Sequence, residues 1–485
     1  MSRWEAVIGL EVHVQLATKS KIFSAAPVTG AEEPNTDVDA VTLGMPGVLP
    51  VINRHAVELA LRVGLALGCD IAERSRFARK HYFYPDLPKG YQISQYDEPL
   101  MSGGGVWATL DDGESSRECF FPLTRIHMEE DAGKTIHSTS AARSYVDFNR
   151  AGVPLIEIVS EPCMHSAAEA VAYLKALHQV VVAVGSSAGN LERGNFRCDA
   201  NVSVRRRGDA ALGTRTEIKN VNSFRFVGRA IAYEIRRQVN VIEGGGQVIQ
   251  ETRTWDESAG KTRSMRSKEE AHDYRYFSDP DLMIIEVPRQ WADRVFQELP
   301  ELPRAKRIRF EADYELSRYD ADVLTQSVYR ADFFEQVARE VGQPKLVANW
   351  ITGELLGALN RDDLELEQSP IEPDSLAELL KLLCSGTLSG KMAKQCFAAM
   401  YHEGQSPAEW VAAHGGQVTD EAAIAEEVRR VIASHPEQAD AFRGGKTKLL
   451  GFFVGQVMKA TRGKANPQVV NALVKRLLSD EETKQ

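Results

Sequence analysis

Glu11 and His13 alternate with apolar residues in Ala6-Val7-Ile8-Gly9-Leu10-Glu11-Val12-His13-Val14-Gln15-Leu16. On a strand, successive side chains point to opposite faces, so the acid and the imidazole stand side by side on a rigid support. That pairing suits the ligation of a divalent cation. The device recurs at Asp199 in Arg197-Cys198-Asp199-Ala200-Asn201-Val202-Ser203-Val204 and at Glu217 in Arg215-Thr216-Glu217-Ile218-Lys219. Glu129 and Glu130, in His127-Met128-Glu129-Glu130-Asp131-Ala132-Gly133-Lys134, close an apolar run ahead of a glycine turn, and adjacent acids on a strand diverge. Hard oxygen ligands suit magnesium, which takes one or two carboxylates together with substrate phosphate. An imidazole also admits manganese, or places His13 behind a ligand rather than on the metal. Any one of these acids, taken singly, is more often a salt-bridged or solvated strand position. Their recurrence on separate strands is what shifts the balance.

The elements that must hold these groups are short alternating strands, interleaved with helix patterns over His165 to Gly185 and Ser223 to Glu243. Ile8, Leu10, Val12, Val14 and Leu16 form a buried stripe that sets the register of the first strand. The Asp199 and Glu217 runs predict a hairpin around Arg205-Arg206-Arg207-Gly208-Asp209. With its turn near Gly208, Asp199 faces Glu217 and Asn201 faces Arg215. Like charges opposed across a ladder destabilise it unless a cation or a proton intervenes. After Pro300 and Pro303 the alternation stops, and amphipathic helical runs follow over Ala321 to Val341, Lys345 to Leu359, Ser375 to Cys384, Glu421 to Ser434 and Pro467 to Leu478. The expected class is α+β: a mixed-sheet body over 1–295, a helical region over 296–412, and a helical tail over 413–485.

Two aromatic segments accompany the acids. Lys80-His81-Tyr82-Phe83-Tyr84-Pro85-Asp86-Leu87-Pro88-Lys89-Gly90-Tyr91 sets tyrosines around Lys80 and Lys89, a lining suited to a terminal adenosine or a polar passage. Lys89 follows a proline-stiffened loop, which would present its ammonium to an anion. In Tyr274-Arg275-Tyr276, Arg275 is a candidate phosphate clamp, since a guanidinium binds two oxygens at once. Such aromatics are as often simply core, and such arginines are often surface ion pairs.

The net charge of −10 speaks against a generally basic nucleic-acid binder. One end departs from that balance: Lys446, Lys448, Lys459, Arg462 and Lys464 lie in a stretch from Ala441 to Arg476 that holds no acid. These are candidate phosphate contacts for an RNA, although a basic helical face is usually just solvated. The six cysteines form no Cys-x-x-Cys pair, which argues against a disulfide framework or a zinc knuckle. There is no Gly-rich phosphate loop of the Gly-Lys-Ser/Thr type, no kinase signature and no well-partnered serine nucleophile. No apolar run has the length of a membrane span, and the first strand pattern begins within a few residues, so a cytoplasmic protein is expected.

Taken in order, the Gly9 to Leu16 opening, Tyr82 to Gln95, His127 to Lys134, Asp147-Phe148-Asn149-Arg150-Ala151-Gly152-Val153-Pro154-Leu155, Arg197 to Val204, Glu217 to Phe224 and Asp273 to Leu282 resemble the B-subunit family of the aspartyl/glutamyl-tRNA amidotransferases (GatB/GatE). The resemblance runs over nearly the whole chain, and the C-terminal third resembles that family's helical and YqeY-like tail. It implies a heterotrimer with subunits A and C, in which the A subunit frees ammonia from glutamine. The B subunit would use ATP and Mg2+ to phosphorylate the side-chain carboxylate of Glu-tRNA(Gln) or Asp-tRNA(Asn), which ammonia then converts to the amide. The activity is thus that of an ATP-dependent carbon–nitrogen ligase with glutamine as amido donor. Carried over by motif, Glu11, His13, Glu129, Glu130, Asp199 and Glu217 would hold metal. Lys80, Tyr82, Lys89 and Glu130 would border the ammonia exit, with Lys89 and Glu130 as a gate. Ser278 and Arg193 depart from the family's common proline and acid. Two other readings compete: a metal-dependent phosphoesterase or nuclease, on the acid cluster alone, and a non-catalytic tRNA-binding scaffold, on the basic tail alone.

Overall fold

The computed structural model describes residues 3–111, 116–137, 143–265, 273–417, 421–461 and 464–479. The N-terminal alternation forms β1 (Trp4–Gln15), whose Ile8, Leu10, Val12 and Val14 are buried. A one-residue slip would exchange these with Glu11 and His13, so burial locks the register. Around β1 lie β2 (Ser116–Glu130), β3 (Pro154–Ser160), β4 (Phe196–Arg206), β5 (Thr216–Lys219), β6 (Thr252–Asp256) and β7 (Lys261–Ser264). Their order across the sheet is β7-β6-β5-β4-β1-β3-β2, with shorter strands beyond β2. These neighbours are antiparallel except β5 and β6, which run parallel.

Two helices, Ala167–Ala183 and Phe224–Glu243, contribute to the core of the sheet's apolar face. Tyr173, Leu174, Leu177, Val227 and Ile231 join Ile8, Leu10, Val12, Val202 and Ile218 in one core. Each helix starts at a serine: Ser166 Oγ accepts from Glu169 N at 3.1 Å, and Ser223 Oγ from Phe226 N at 3.2 Å. Caps of this kind contribute about 1 kcal/mol each. With one face covered, the other is left for polar groups, as antiparallel sheets allow.

The chain divides into two compact units, Met1–Lys306 and Arg307–Gln485. The first runs past residue 295 because the helix Arg289–Gln297 belongs to it, with Val295 buried in the core and Trp291 and Leu299 packed against that core. The described part of the second unit is helical and holds two apolar cores, one around Phe334, Leu355, Leu376 and Leu380, the other around Val428, Phe453 and Val474. The run expected as one helix over Ala321 to Val341 is two, Arg318–Leu324 and Val328–Val341. Ser327 explains the break, since its Oγ accepts from Arg330 N at 3.1 Å and caps the second helix. The run Lys345 to Leu359 contains a π-helical turn, Trp350–Leu355, between two α-helical pieces.

Candidate active site

Strand pairing carries the chemistry onto one face. His13 of β1 lies opposite Glu157 of β3, and Glu157 lies opposite His127 of β2, with Leu155 opposite Glu129 one row along. His13 Nε2 stands 3.4 Å from Glu157 Oε2 and 3.6 Å from Glu129 Oε1. His127 Nε2 stands 3.5 Å from Glu157 Oε2 and 3.8 Å from Glu129 Oε2. Ligand atoms of His13, Glu129 and Glu157 all fall within 4.8 Å of one another, a spacing one cation could span. Burial favours the neutral ring of His13, but Glu157, Glu129 and Asp199 outweigh it and raise its pKa to about 9. Burial pushes the Glu157 carboxyl up, yet His13, His127 and Lys80 hold it well below the ordinary carboxylate range.

Glu157 is absent from the ligands expected from sequence. It is the one charged residue in Pro154-Leu155-Ile156-Glu157-Ile158-Val159-Ser160, and it shares its face with Leu155 and Val159 rather than with other polar groups. Period alone does not mark such a position. A lone acid inside an apolar strand run is the available signal, because a buried charge demands partners.

On the other side of β1, Asp199 of β4 lies opposite Glu11. Between β4 and β5 the register sets Asn201 opposite Glu217, not Asp199 opposite Glu217 as a turn near Gly208 predicts. A two-residue shift keeps every side chain on its face and changes every partner. Asp199 therefore meets Lys219, whose Nζ lies 2.5 Å from Asp199 Oδ2 and 2.9 Å from Glu217 Oε1. The expected confrontation of two acids is relieved by a lysine between them. Burial opposes the charge on Lys219, but Asp199 and Glu217 prevail and its pKa is raised. Glu11 accepts from Asn201 Nδ2 at 2.9 Å, and burial, then Glu157, Glu217 and Asp199, raise its pKa. Glu217 also accepts from Thr252 Oγ1 at 2.8 Å.

Two cavities open on this face, of about 370 and 670 Å³. The smaller is lined by Tyr82, Gln92, Arg150 and Arg197, the larger by Glu11, Glu217, Tyr96, Tyr274 and Tyr276. His13, Lys80, Glu129, Glu157, Asp199 and Lys219 line both. Tyr96 and Tyr276 stack with centroids 4.2 Å apart and planes 11° from parallel, an extended aromatic wall. Lys80 Nζ sits 4.9 Å from the Tyr274 centroid and 5.9 Å from that of Tyr82. Burial works against its charge, and Glu129 with the tyrosines more than offsets this, so its pKa is raised.

Glu130 is not brought to this cluster. It points away from Glu129, as neighbours on a strand do, and lines neither cavity. Its carboxylate holds Lys89 Nζ and accepts from Ile93 N at 2.8 Å, while its carbonyl accepts from Gln92 Nε2 at 2.8 Å. Gly44, at φ +64°, packs against this lysine; a Cβ there would stand 2.8 Å from Lys89 Cγ and 3.2 Å from its Cα. Tyr82 lines the smaller cavity, its hydroxyl 3.4 Å from Gln92 Oε1.

Arg275 also stays outside. Tyr274 and Tyr276 turn into the larger cavity, and the arginine between them is exposed, with φ at +46° and its N donating to Asp273 Oδ1 at 3.0 Å. The cations that do line this cavity are Lys80, Arg125, Arg215 and Lys219. In the second unit, Lys446, Lys448 and Lys459 are exposed. Lys464 is partly buried and donates to the His414 carbonyl at 2.5 Å. Arg462 lies outside the described residues.

Comparison with known proteins adds an independent finding. Residues 6–293 match the GatB/GatE catalytic domain, and residues 332–478 match the GatB domain. The chain is 55% identical over 477 residues to the B subunit of the aspartyl/glutamyl-tRNA(Asn/Gln) amidotransferase of Alkalilimnicola ehrlichii, covering 98% of this chain and 99% of that one. The protein of the same name from Thioalkalivibrio sulfidiphilus is 54% identical over 98% of this chain and 99% of its own. That of Coxiella burnetii is 53% identical over 98% of this chain and all of its own length. A sheet whose polar face gathers histidines, acids and a lysine from five strands, and a match that spans nearly the full length, agree: the chain belongs to the GatB/GatE family.

Proposed function

We propose that this chain is the component of a tRNA-dependent amidotransferase that activates a tRNA-borne carboxylate and amidates it. The substrate is Glu-tRNA(Gln), Asp-tRNA(Asn) or both; ATP is the phosphoryl donor and the partner subunits are A and C. The observation that carries the reading is the junction of the two cavities, where His13, Glu129, Glu157 and Asp199 face Lys80 and Lys219. The family assignment supports amidation over the phosphoesterase reading that an acid cluster alone would allow.

The donor set suits a divalent cation. Oxygen ligands from Glu129 and Glu157 close on one point with His13, and Glu11, Asp199 and Glu217 supply further carboxylates beside it. When bound, Mg2+ would neutralise phosphate oxygens, which is where most of the gain in phosphoryl transfer arises. The protein's own groups do the rest. The stacked Tyr96 and Tyr276 offer a platform for an adenine ring, whether from ATP or from the tRNA end. Lys80 orients anionic oxygens at the junction. The substrate carboxylate attacks the γ-phosphorus, the bond to ADP breaks, and an acyl phosphate forms. Ammonia attacks its carbonyl carbon, phosphate leaves, and the nitrogen loses a proton to give the amide.

Glu130 takes the gate rather than the metal in this reading, because Lys89 and Ile93 N already occupy its carboxylate. Glutamine is the nitrogen source, with ammonia arriving from the A subunit past the Lys89–Glu130 pair. Lys446, Lys448 and Lys459 are the tRNA contacts of the tail. The purified three-subunit assembly, given each misacylated tRNA, ATP and ammonium salt, tests the proposal through the amino acid recovered on the tRNA. Recovery of glutamine or asparagine only with ATP supports it. Unchanged glutamate and aspartate, with ATP intact, refutes it.

A further inference from the structure

Lys219 is used by none of the roles assigned so far except as a counter-charge, yet its placement is unusual. It stands in the wall common to both cavities, with one ammonium bridging carboxylates from two strands, Asp199 of β4 and Glu217 of β5. Those carboxylates are among the further ligands proposed above for a divalent ion, and Glu11 lies directly across from Asp199. An ammonium and a divalent cation cannot share the same carboxylate oxygens without strong repulsion at contact distance. Entry of an ion at those carboxylates would therefore displace the lysine. The other acids of the junction, Glu129 and Glu157, are already faced by His13 and His127. A released ammonium, with three donors on a flexible four-carbon stem, suits a phosphate as a mobile point charge.

We propose that Lys219 is a phosphoryl-binding residue, held in reserve by Asp199 and Glu217 and handed to the phosphoryl oxygens of ATP when a divalent ion takes those carboxylates. The inference rests on the activity proposed above and adds to it a residue and an order of events. Metal binding exposes the cation that the nucleotide then needs, so metal and triphosphate bind with positive coupling through one side chain. The lysine performs no bond-making; it acts on charge that develops in transfer.

The test compares wild type, Lys219→Met and Lys219→Arg in the intact assembly. Calorimetry measures Mg2+ binding without nucleotide, then binding of a non-hydrolysable ATP analogue with Mg2+ present; steady-state amidation supplies kcat. In Lys219→Met, Mg2+ should bind at least as tightly, because its internal competitor is gone. The ATP analogue should bind about tenfold more weakly or worse. kcat should fall by about 100-fold or more, with Lys219→Arg restoring part of it. If Mg2+ and nucleotide affinity fall together in the folded variant, Lys219 merely organises the acids and the inference is wrong. Should Lys219→Met fail to fold by circular dichroism, Lys219→Gln provides the same neutral readout. Wild type that binds no nucleotide would overturn the activity reading and this inference with it. Wild type that binds nucleotide, matched by an equally competent Lys219→Met, overturns the inference alone.

Discussion

Replacing Glu157 by glutamine removes a charge while keeping the side chain's size, and its first consequence should appear at His13. In the metal-free protein that imidazole titrates at about 9, with Glu157 the leading contributor to the rise. A ring with that pKa is ~97% protonated at pH 7.5, so a metal that takes Nε2 must expel close to one proton. The sign is definite: affinity rises with pH until the ring's pKa is passed, then levels. Without the Glu157 charge, Glu129 and Asp199 still raise the pKa while burial still lowers it, so it falls below its wild-type value. The ring is then less fully protonated at pH 7.5. Proton competition against the metal shrinks, by about 1.4 kcal/mol for each pKa unit lost, although the loss of a carboxylate ligand lowers the affinity itself. Proton release separates the two effects. Calorimetry of Mg2+ binding at pH 7.5, in buffers of different ionisation enthalpy, counts protons directly: close to one for wild type and fewer for Glu157→Gln. An identical count in both proteins would show that Glu157 does not control His13, and the reasoning about this trio would fail.

Further outcomes follow from other parts of the chain. Lys89→Met, by breaking the pair with Glu130, should depress glutamine-dependent amidation at least tenfold more than ammonium-dependent amidation; equal loss with both nitrogen donors rejects the gate. Arg253 donates from Nε and Nη2 to Thr262 at 2.9 Å and lies 3.4 Å from the buried Glu234, tying β6, whose Thr252 bonds Glu217, to β7 and to the helix Phe224–Glu243. Arg253→Met should cost about 2–3 kcal/mol, because Arg237 still pairs with Glu234, and should weaken Mg2+ binding; an unchanged Tm counts against it. Substituting Lys446, Lys448 and Lys459 by alanine together should weaken tRNA binding and lower the salt dependence of log K by about two to three units. A salt dependence equal to wild type would place the RNA elsewhere.

Much of the site is legible because strand alternation is a local property. Ile8, Leu10, Val12 and Val14 announce a buried face, and their burial obliges Glu11 and His13 to share the other. The same logic separates Glu129 from Glu130, and the structure turns them to different surroundings. Tyr274 and Tyr276 line the cavity and Arg275 between them is exposed, but this segment is not a strand and Arg275 has φ at +46°, so strand alternation does not account for it. The helical character after Pro303 is equally plain, because apolar spacing of that period leaves no strand alternative.

What one dimension could not supply was partnership. The pairing of β4 with β5 is displaced by two residues from that of a turn centred on Gly208, and this alone decides that Asp199 meets Lys219 rather than Glu217. Glu157 is inconspicuous in sequence because its importance lies in what β1 and β2 bring beside it, from positions more than a hundred and about thirty residues away. Composition and periodicity settled which face each side chain takes, since that follows from backbone geometry within a few residues. Distances between carboxylates, imidazoles and ammonium groups were settled only by tertiary pairing, since register depends on loop closure and on burial summed over the whole sheet.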